Sequence, residues 1–367
     1  MRVLLEDGFS IEKGTGIGRY TQSLANELGR RPEVEVFPPP AREFIRKIRP
    51  MGARRVVYAA WLETGFQRQV RKLAPDLIHF TNHLVPRARK SGARYVVTIH
   101  DLTAWRFPEA LPSFYRQYNR IVVPRAVKLA DLVLCPSDAV RNEVISHFDL
   151  KPALVRTAWN ADSKLPELSA QAQEEISSRF RKNLGIQKPF VLFVGTLEWR
   201  KNVTTLVEAF ARVAKEADLQ LVLAGRFGYG FPEIEAAIQR QGCRERYVLT
   251  GYVSDEELSM LYTMAELFAY PSRYEGFGIP LVEAMSFGLP IVASRIPASE
   301  EVAREAALYY DDPEDASALA EQILILLGNS TLGSELGSRG RRRAELFRWE
   351  QVIQMYLDAY QSCLGRN

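Results

Sequence analysis

The feature that most constrains this chain is a short, nearly continuous apolar run that recurs along it and is usually followed by a stretch with helical spacing. Such runs fall at residues 2–5, 34–37, 77–80, 95–99, 132–135, 190–194, 219–224, 248–250, 267–269 and 291–293. A strand with one wet face alternates apolar and polar side chains, whereas a strand apolar on both faces belongs in a parallel sheet covered by helices on either side. The alternation therefore predicts an α/β fold built on parallel sheets. Helices are expected over 17–28, 62–73, 112–129, 202–214, 233–241, 255–264, 280–287, 315–327, 331–346 and 349–363, and another opens at Ser137, a sound N-cap, and runs to His147. Residues 40–56 read as a basic, irregular stretch.

The length of 367 residues accommodates two domains at the usual ~100 to 200 residues each. The rhythm breaks once, in the polar stretch 165–187, which is read as the linker; the domains are then 1–168 and 169–348. Two doubly wound, Rossmann-like domains in tandem are the simplest architecture. Ligands in such sheets sit beyond the carboxyl ends of the strands, so a deep interdomain cleft is the expected place for a site.

Composition removes several classes. With 47% hydrophobic and 25% charged residues, 23 Gly and 20 Pro, the chain is neither disordered nor collagen-like. Its three cysteines, Cys135, Cys243 and Cys363, are far apart and lack metal-ligand spacing, which suits a reducing cytosol and suggests neither a disulfide framework nor a zinc site. The first ten residues do not read as a signal peptide, and no apolar run approaches a membrane span. The net charge of +4 hides an asymmetry: residues 1–170 carry 27 Lys and Arg against 17 Asp and Glu, while 171–367 carry 21 against 27. The excess is dense at Arg42, Arg46, Lys47, Arg49, Arg54 and Arg55. It fits anionic lipid, a phosphorylated small molecule, nucleic acid or a merely solvated face.

Four segments carry candidate chemistry. In PSRYEGFGIPLVEAMSFG (271–288), Glu275 lies on a loop at a strand's carboxyl end and Glu283 lies one turn into the next helix, with Pro280 at its start. Gly276, Phe277 and Gly278 bring backbone amides to the helix N-terminus, where partial positive charge favours an anion. Two carboxylates beside an anion-attracting helix start suit a sugar nucleotide, the alternative being a capped helix with surface glutamates. In GTLEWRKNVTTL (195–206), Gly195 follows a strand and Arg200 with Lys201 sits at a helix start, where cations oppose the helix dipole. That placement calls for an anionic partner, and a diphosphate fits it without a metal. GTGIGRY (14–20) lacks the third glycine of a dinucleotide fingerprint, leaving either a glycine loop toward a sugar or phosphate, with Gly16 at its centre, or an ordinary turn. His100, after a strand, either contacts a substrate hydroxyl, shuttles a proton, or is a satisfied core histidine. His79 and His83 flank another strand end, where metal binding is disfavoured.

Together these segments resemble the retaining GT-B glycosyltransferases of family 4, among them bacterial mannosyltransferase-like and rhamnosyltransferase-like members. The resemblance covers nearly the whole chain and rests on GTGIGRY (14–20), HDLTAWRFPE (100–109), VGTLEWRKN (194–202), GYVSDEEL (251–258) and above all the two glutamates of RYEGFGIPLVEAM (273–285). It implies that Glu283 binds the ribose hydroxyls of a nucleotide-sugar donor and that Arg200 and Lys201 bind its diphosphate. It implies further that Glu275, with the amides of Gly276, Phe277 and Gly278, holds the transferred sugar, that His100 meets the sugar's outer hydroxyls, and that Gly16 approaches donor phosphate or acceptor. Tyr252 and Val253 would border the base, and the last helix, 349–367, would complete the first domain. Two segments depart from the pattern, WNAD (159–162) and SEE (299–301), and no roles are assigned there.

The activity so implied is front-face transfer of a hexose with retention, mannose or a related deoxyhexose from a GDP-sugar, or else a UDP- or dTDP-sugar. No cofactor or metal is expected beyond the donor. The acceptor is a glycan or a lipid-diphosphate-linked glycan in bacterial surface polysaccharide synthesis. The setting is the cytoplasm, with peripheral contact to an anionic membrane through Arg42, Arg46, Lys47 and Arg49. Nucleic acid is not an expected partner, because no recognised module accompanies the basic residues. Competing readings are a nucleotide-sugar epimerase or phosphorylase on the same fold, and a catalytically silent subunit.

Overall fold

The computed structural model describes residues 1–6, 16–37, 45, 48 and 51–365. The chain forms two compact units, one of Met1–Trp105, Ser113–Asn160 and Trp349–Asn367, the other of Arg106–Pro112 and Ala161–Arg348. Among the described residues each holds one six-stranded sheet, and every strand pair is parallel.

The first unit contains β1 (Arg2–Glu6), β2 (Glu35–Phe37), β3 (Leu77–Phe80), β4 (Arg94–Thr98), β5 (Leu132–Cys135) and β6 (Val155–Thr157), in spatial order β2-β1-β3-β4-β5-β6. The central strands are buried along nearly their whole length, as continuous apolar runs require. Of the expected irregular stretch 40–56, residues 40–44, 46, 47, 49 and 50 lie outside the described residues, and 51–56 are helical: a helix, Met51–Glu63, is followed at once by Gly65–Leu73. Tyr58, Leu62, Phe66 and Val70 carry the two helices' buried face into the core, so burial decided the structure where basic composition had suggested a loop. Arg54, counted in the basic excess, is itself buried. The C-terminal helix Trp349–Cys363 belongs to this unit and buries Val352, Ile353, Tyr356 and Tyr360.

The second unit contains β7 (Phe190–Val194), β8 (Gln220–Ala224), β9 (Tyr247–Gly251), β10 (Leu267–Tyr270), β11 (Ile291–Ser294) and β12 (Leu308–Tyr310). Their order, β12-β11-β10-β7-β8-β9, reverses direction between β7 and β10. That reversal leaves the crevice in which doubly wound sheets place ligands, and the loops after these two strands are the ones that carry Arg200, Lys201 and Glu275. The polar stretch 165–187 is not a bare linker. It contains the helix Ala170–Arg179, which buries Ile176 and reaches the helix Asp255–Met264 through an Arg179–Glu257 ion pair of 2.8 Å. The stretch is polar because this helix lies on the surface with one narrow buried face; the change of unit falls earlier, at Asn160/Ala161. The sequence pattern missed strands β6 and β12, which close the edges of their sheets.

Candidate functional site

The site in the second unit begins with backbone. Leu197 and Phe227 form an isolated bridge beyond the ends of β7 and β8, and the Gly195 N–H donates to the Ala224 carbonyl at 2.9 Å. The two loops approach so closely that a Cβ on Gly225 would stand 1.9 Å from the Gly195 carbonyl oxygen, a constraint the sequence reading missed. After β7 the chain makes a tight turn, Trp199–Lys201, and Asn202 in a left-handed conformation starts the helix Val203–Glu216. Arg200 and Lys201 thus lie just ahead of a helix, as the sequence implied.

Their charge does not wait for a ligand. Lys201 Nζ lies 2.5 Å from Glu275 Oε1 and Arg200 Nη1 lies 2.7 Å from Glu275 Oε2. Arg200 Nη2 pairs with Glu198 at 2.9 Å, and Ser272 Oγ donates to Glu275 Oε1 at 2.7 Å. The expectation that the helix dipole leaves these cations in need of an outside anion is therefore corrected: Glu275, 74 residues on in the case of Lys201, supplies the counter-charge. Glu275 is only 7% exposed. Burial opposes its ionisation, yet the charges of Arg200 and Lys201 and the hydrogen bonds from Lys201 and Ser272 prevail and hold its carboxyl down at about 2. Burial, with Glu275 close by, drives the Tyr270 phenol well above its ordinary value, so it stays protonated over the same range.

The loop from Glu275 closes on Gly278, which precedes the helix Ile279–Ser286 at φ 110°. A side chain there would be strained and would meet the Tyr270 hydroxyl at 3.0 Å. Gly276, Phe277 and Gly278 are all buried, with Phe277 edge-on to Phe347 at 5.4 Å. Glu283, 4% exposed, is fixed from two sides: the Tyr262 hydroxyl donates to Oε2 at 2.9 Å and Ser163 Oγ donates to Oε1. Sequence reasoning missed both partners. Ser163 lies 120 residues away, and Tyr262 reads as a core residue of its helix; Ser272, on the same loop as Glu275, was within reach of a local argument. Tyr252 follows β9 and is half exposed, with the Arg226 guanidinium 4.8 Å from its ring centre; Val253 is partly buried beside it.

Gly16 and His100 lie in the first unit. Gly16 opens the helix Gly16–Gly29, and a Cβ there would have open space among the described residues, so internal packing does not demand glycine. His100 Nε2 lies 2.8 Å from the Thr81 carbonyl oxygen. Since a carbonyl only accepts, Nε2 carries the hydrogen and Nδ1 is the acceptor of the neutral ring. Burial lowers its pKa, against the pull of the Thr81 carbonyl and Asp101, which keeps the imidazole neutral at pH 7. His79 is a satisfied core histidine: Nδ1 is 2.7 Å from the Tyr360 hydroxyl and Nε2 2.7 Å from Thr98 Oγ1, and burial pushes its pKa down to about 3. Arg42, Arg46, Lys47 and Arg49 lie outside the described residues. Among the described residues no cluster of three or more His, Cys, Asp or Glu could hold a metal, and no helix is long and apolar enough to cross a membrane.

Two family models match the chain, "Glycosyltransferase Family 4" over residues 14–161 and "Glycosyl transferases group 1" over 175–343. The O-antigen chain mannosyltransferase B of Escherichia coli is 31% identical over 287 residues, covering 77% of this chain and 74% of that one. The chain is a family 4 glycosyltransferase. This glycosyltransferase is also 29% identical over 342 residues to the MMP alpha-(1->4)-mannosyltransferase of Mycolicibacterium hassiacum, covering 90% and 77% of the two chains. Its fold is shared with the sucrose-phosphate synthase of Thermosynechococcus elongatus over 100% of both chains, with a TM-score of 0.76 at 22% identity. The two parallel-sheet units are those of the GT-B fold, as the sequence motifs implied.

Proposed function

We propose that this glycosyltransferase moves a hexose, mannose or a related deoxyhexose, from a GDP-sugar to a glycan or lipid-linked acceptor of a bacterial surface polysaccharide. The observation that carries the reading is the grouping at the β7/β10 reversal: two cations ordered on Glu275 after β7 and β10, and a second carboxylate, Glu283, oriented by Tyr262 and Ser163. Support for mannose comes from the names of the E. coli and M. hassiacum relatives.

In this reading Glu283 accepts hydrogen bonds from the ribose hydroxyls. Arg200 and Lys201 neutralise the charge that develops on the leaving diphosphate, as a fork and as a point charge respectively. Preorganised charge of this kind is worth ~3 to 4 kcal/mol per donor in the transition state. Glu275 and the amides of Gly276, Phe277 and Gly278 hold the transferred sugar, and Tyr252 and Val253 border the base. Gly16 and the neutral His100 meet the donor's phosphate or sugar hydroxyls from the first unit's sequence. The acceptor hydroxyl attacks the face the diphosphate leaves, its proton passes to the departing diphosphate, and the anomeric configuration is retained without a separate protein base or a resident metal. The protein works in the cytoplasm, and the basic stretch with Arg42, Arg46, Lys47 and Arg49 draws it to an anionic membrane or acceptor.

A thermal-shift panel of GDP, UDP, ADP and dTDP tests the donor. GDP at ~100 times its Kd should add about 2.7 kcal/mol of stability through mass action while the others add less. A response to UDP alone sinks the GDP-mannose reading, and a response to none sinks the nucleotide-sugar site.

A further inference from the structure

Arg200 and Lys201 are both already paired with carboxylates of the loops after β7 and β10. Arg200 and Lys201 bring two positive charges, and the carboxylates they touch, Glu198 and Glu275, bring two negative ones. Glu275 is the inner member of the set. Its Oε1 accepts from Lys201 at 2.5 Å and from Ser272 at 2.7 Å, and its Oε2 accepts from Arg200 at 2.7 Å. A carboxylate has roughly four acceptor positions, so three of them are filled by the protein itself. Arg200 Nη1 is shared further with the Tyr274 carbonyl at 2.8 Å. Ser272 and Tyr270 are fully buried and Lys201 is 8% exposed, so water screens these contacts poorly.

A diphosphate adds at least two negative charges beside two cations that are already paired with carboxylates. Beside a buried carboxylate held 2.5 to 2.7 Å from the same two cations, it meets like charge in a poorly screened place. The diphosphate and Glu275 therefore repel one another across the same two cations, and each weakens the other's hold on them.

We propose that Glu275 is an internal counter-anion that competes with the donor's diphosphate for Arg200 and Lys201, and so sets how tightly the nucleoside diphosphate is held and how fast it leaves. The proposal rests on the assignment of these two cations to the diphosphate. Without a ligand, Glu275 keeps the buried Lys201 and the partly buried Arg200 in place. When donor binds, the diphosphate draws them off, and Glu275 has acceptor positions to offer the sugar. After transfer, Glu275 takes the cations back and the nucleoside diphosphate is released. The carboxyl's depressed pKa keeps it charged throughout the neutral range, so the competition does not lapse there.

The test is calorimetric and kinetic, using the nucleoside diphosphate that the thermal-shift panel identifies. Glu275→Gln keeps the shape and removes the charge. It should bind that diphosphate at least about ten-fold more tightly than the wild type and release it more slowly, while the free nucleoside binds both alike. Arg200→Ala and Lys201→Ala should each weaken diphosphate binding. If they do so but Glu275→Gln binds no more tightly than wild type, the cations do meet the diphosphate and the counter-anion is overturned. If neither cation variant changes Kd, the assignment of the diphosphate fails and the inference falls with it. A structure of the wild-type complex gives an answer even if the glutamine variant does not fold. Lys201–Glu275 and Arg200–Glu275 separations beyond about 4 Å support the exchange, and retention of both contacts overturns it.

Discussion

Replacing Lys201 with methionine should cost the second unit about 2 to 3 kcal/mol at pH 7, and the loss should shrink as the solution is acidified. The side chain is nearly buried, and its Nζ stands 2.5 Å from Glu275 Oε1. Methionine fills similar space, so the change is chiefly one of charge. Breaking a buried ion pair by removing one partner costs ~3 to 5 kcal/mol, because the remaining charge is left without compensation. Here Arg200 at 2.7 Å and Ser272 at 2.7 Å still serve Glu275, which brings the figure down to or just below the bottom of that range. The pH dependence fixes the cause. In the wild type the Glu275 carboxyl is held at about 2, below its ordinary 4.5, so its contribution is complete above about 4.5 and is lost only as pH falls through about 2. Without Lys201 burial has less opposition, the carboxyl pKa rises, and protonation relieves the variant's buried charge at a higher pH. The gap between the two proteins should therefore narrow between pH 7 and pH 4. Urea unfolding followed by far-UV circular dichroism and tryptophan fluorescence measures it; Trp199, stacked under the Arg273 guanidinium at 4.2 Å, sits next to the pair. A variant as stable as wild type at pH 7, or a gap constant down to pH 4, would refute the argument.

Other positions give independent checks. Tyr262→Phe removes the hydroxyl that donates to Glu283 Oε2 at 2.9 Å; it should raise KM for the nucleotide sugar by roughly five- to ten-fold with kcat little changed, at a stability loss of about 1 kcal/mol, read by steady-state kinetics and thermal unfolding. His79→Leu leaves the Thr98 and Tyr360 hydroxyls, each 2.7 Å from the ring, without that partner, and should destabilise the first unit by about 2 to 3 kcal/mol while nucleotide binding to the second unit is retained, as measured by thermal unfolding with and without nucleotide.

Much of the fold was legible because the signal is local. The strand at Phe190–Val194 and the helices Asp255–Met264 and Trp349–Cys363 fall where periodicity put them, since the face a segment buries is written in the spacing of its own apolar residues. The pattern failed at β6, whose three residues include a single apolar one, Val155, it missed β12, and composition misled at the helix Met51–Glu63. The candidate loops were also legible, because a strand end followed by Arg200-Lys201 or by Glu275 before a helix is a statement about neighbours in sequence.

Local patterning thus set the order of strands and helices and the chemical types standing at strand ends. Which of those ends meet was left to packing across the whole sheet. The reversal of strand order sets β10 against β7 and brings Glu275 onto two cations 74 and 75 residues earlier. Folding likewise brings Ser163 to Glu283 across 120 residues and Tyr360 to His79 across 281. The physical reason is that a charge or hydroxyl has no periodicity of its own: its partner is whatever the packed sheet and helices place within about 3 Å, and that depends on the burial of every other residue at once.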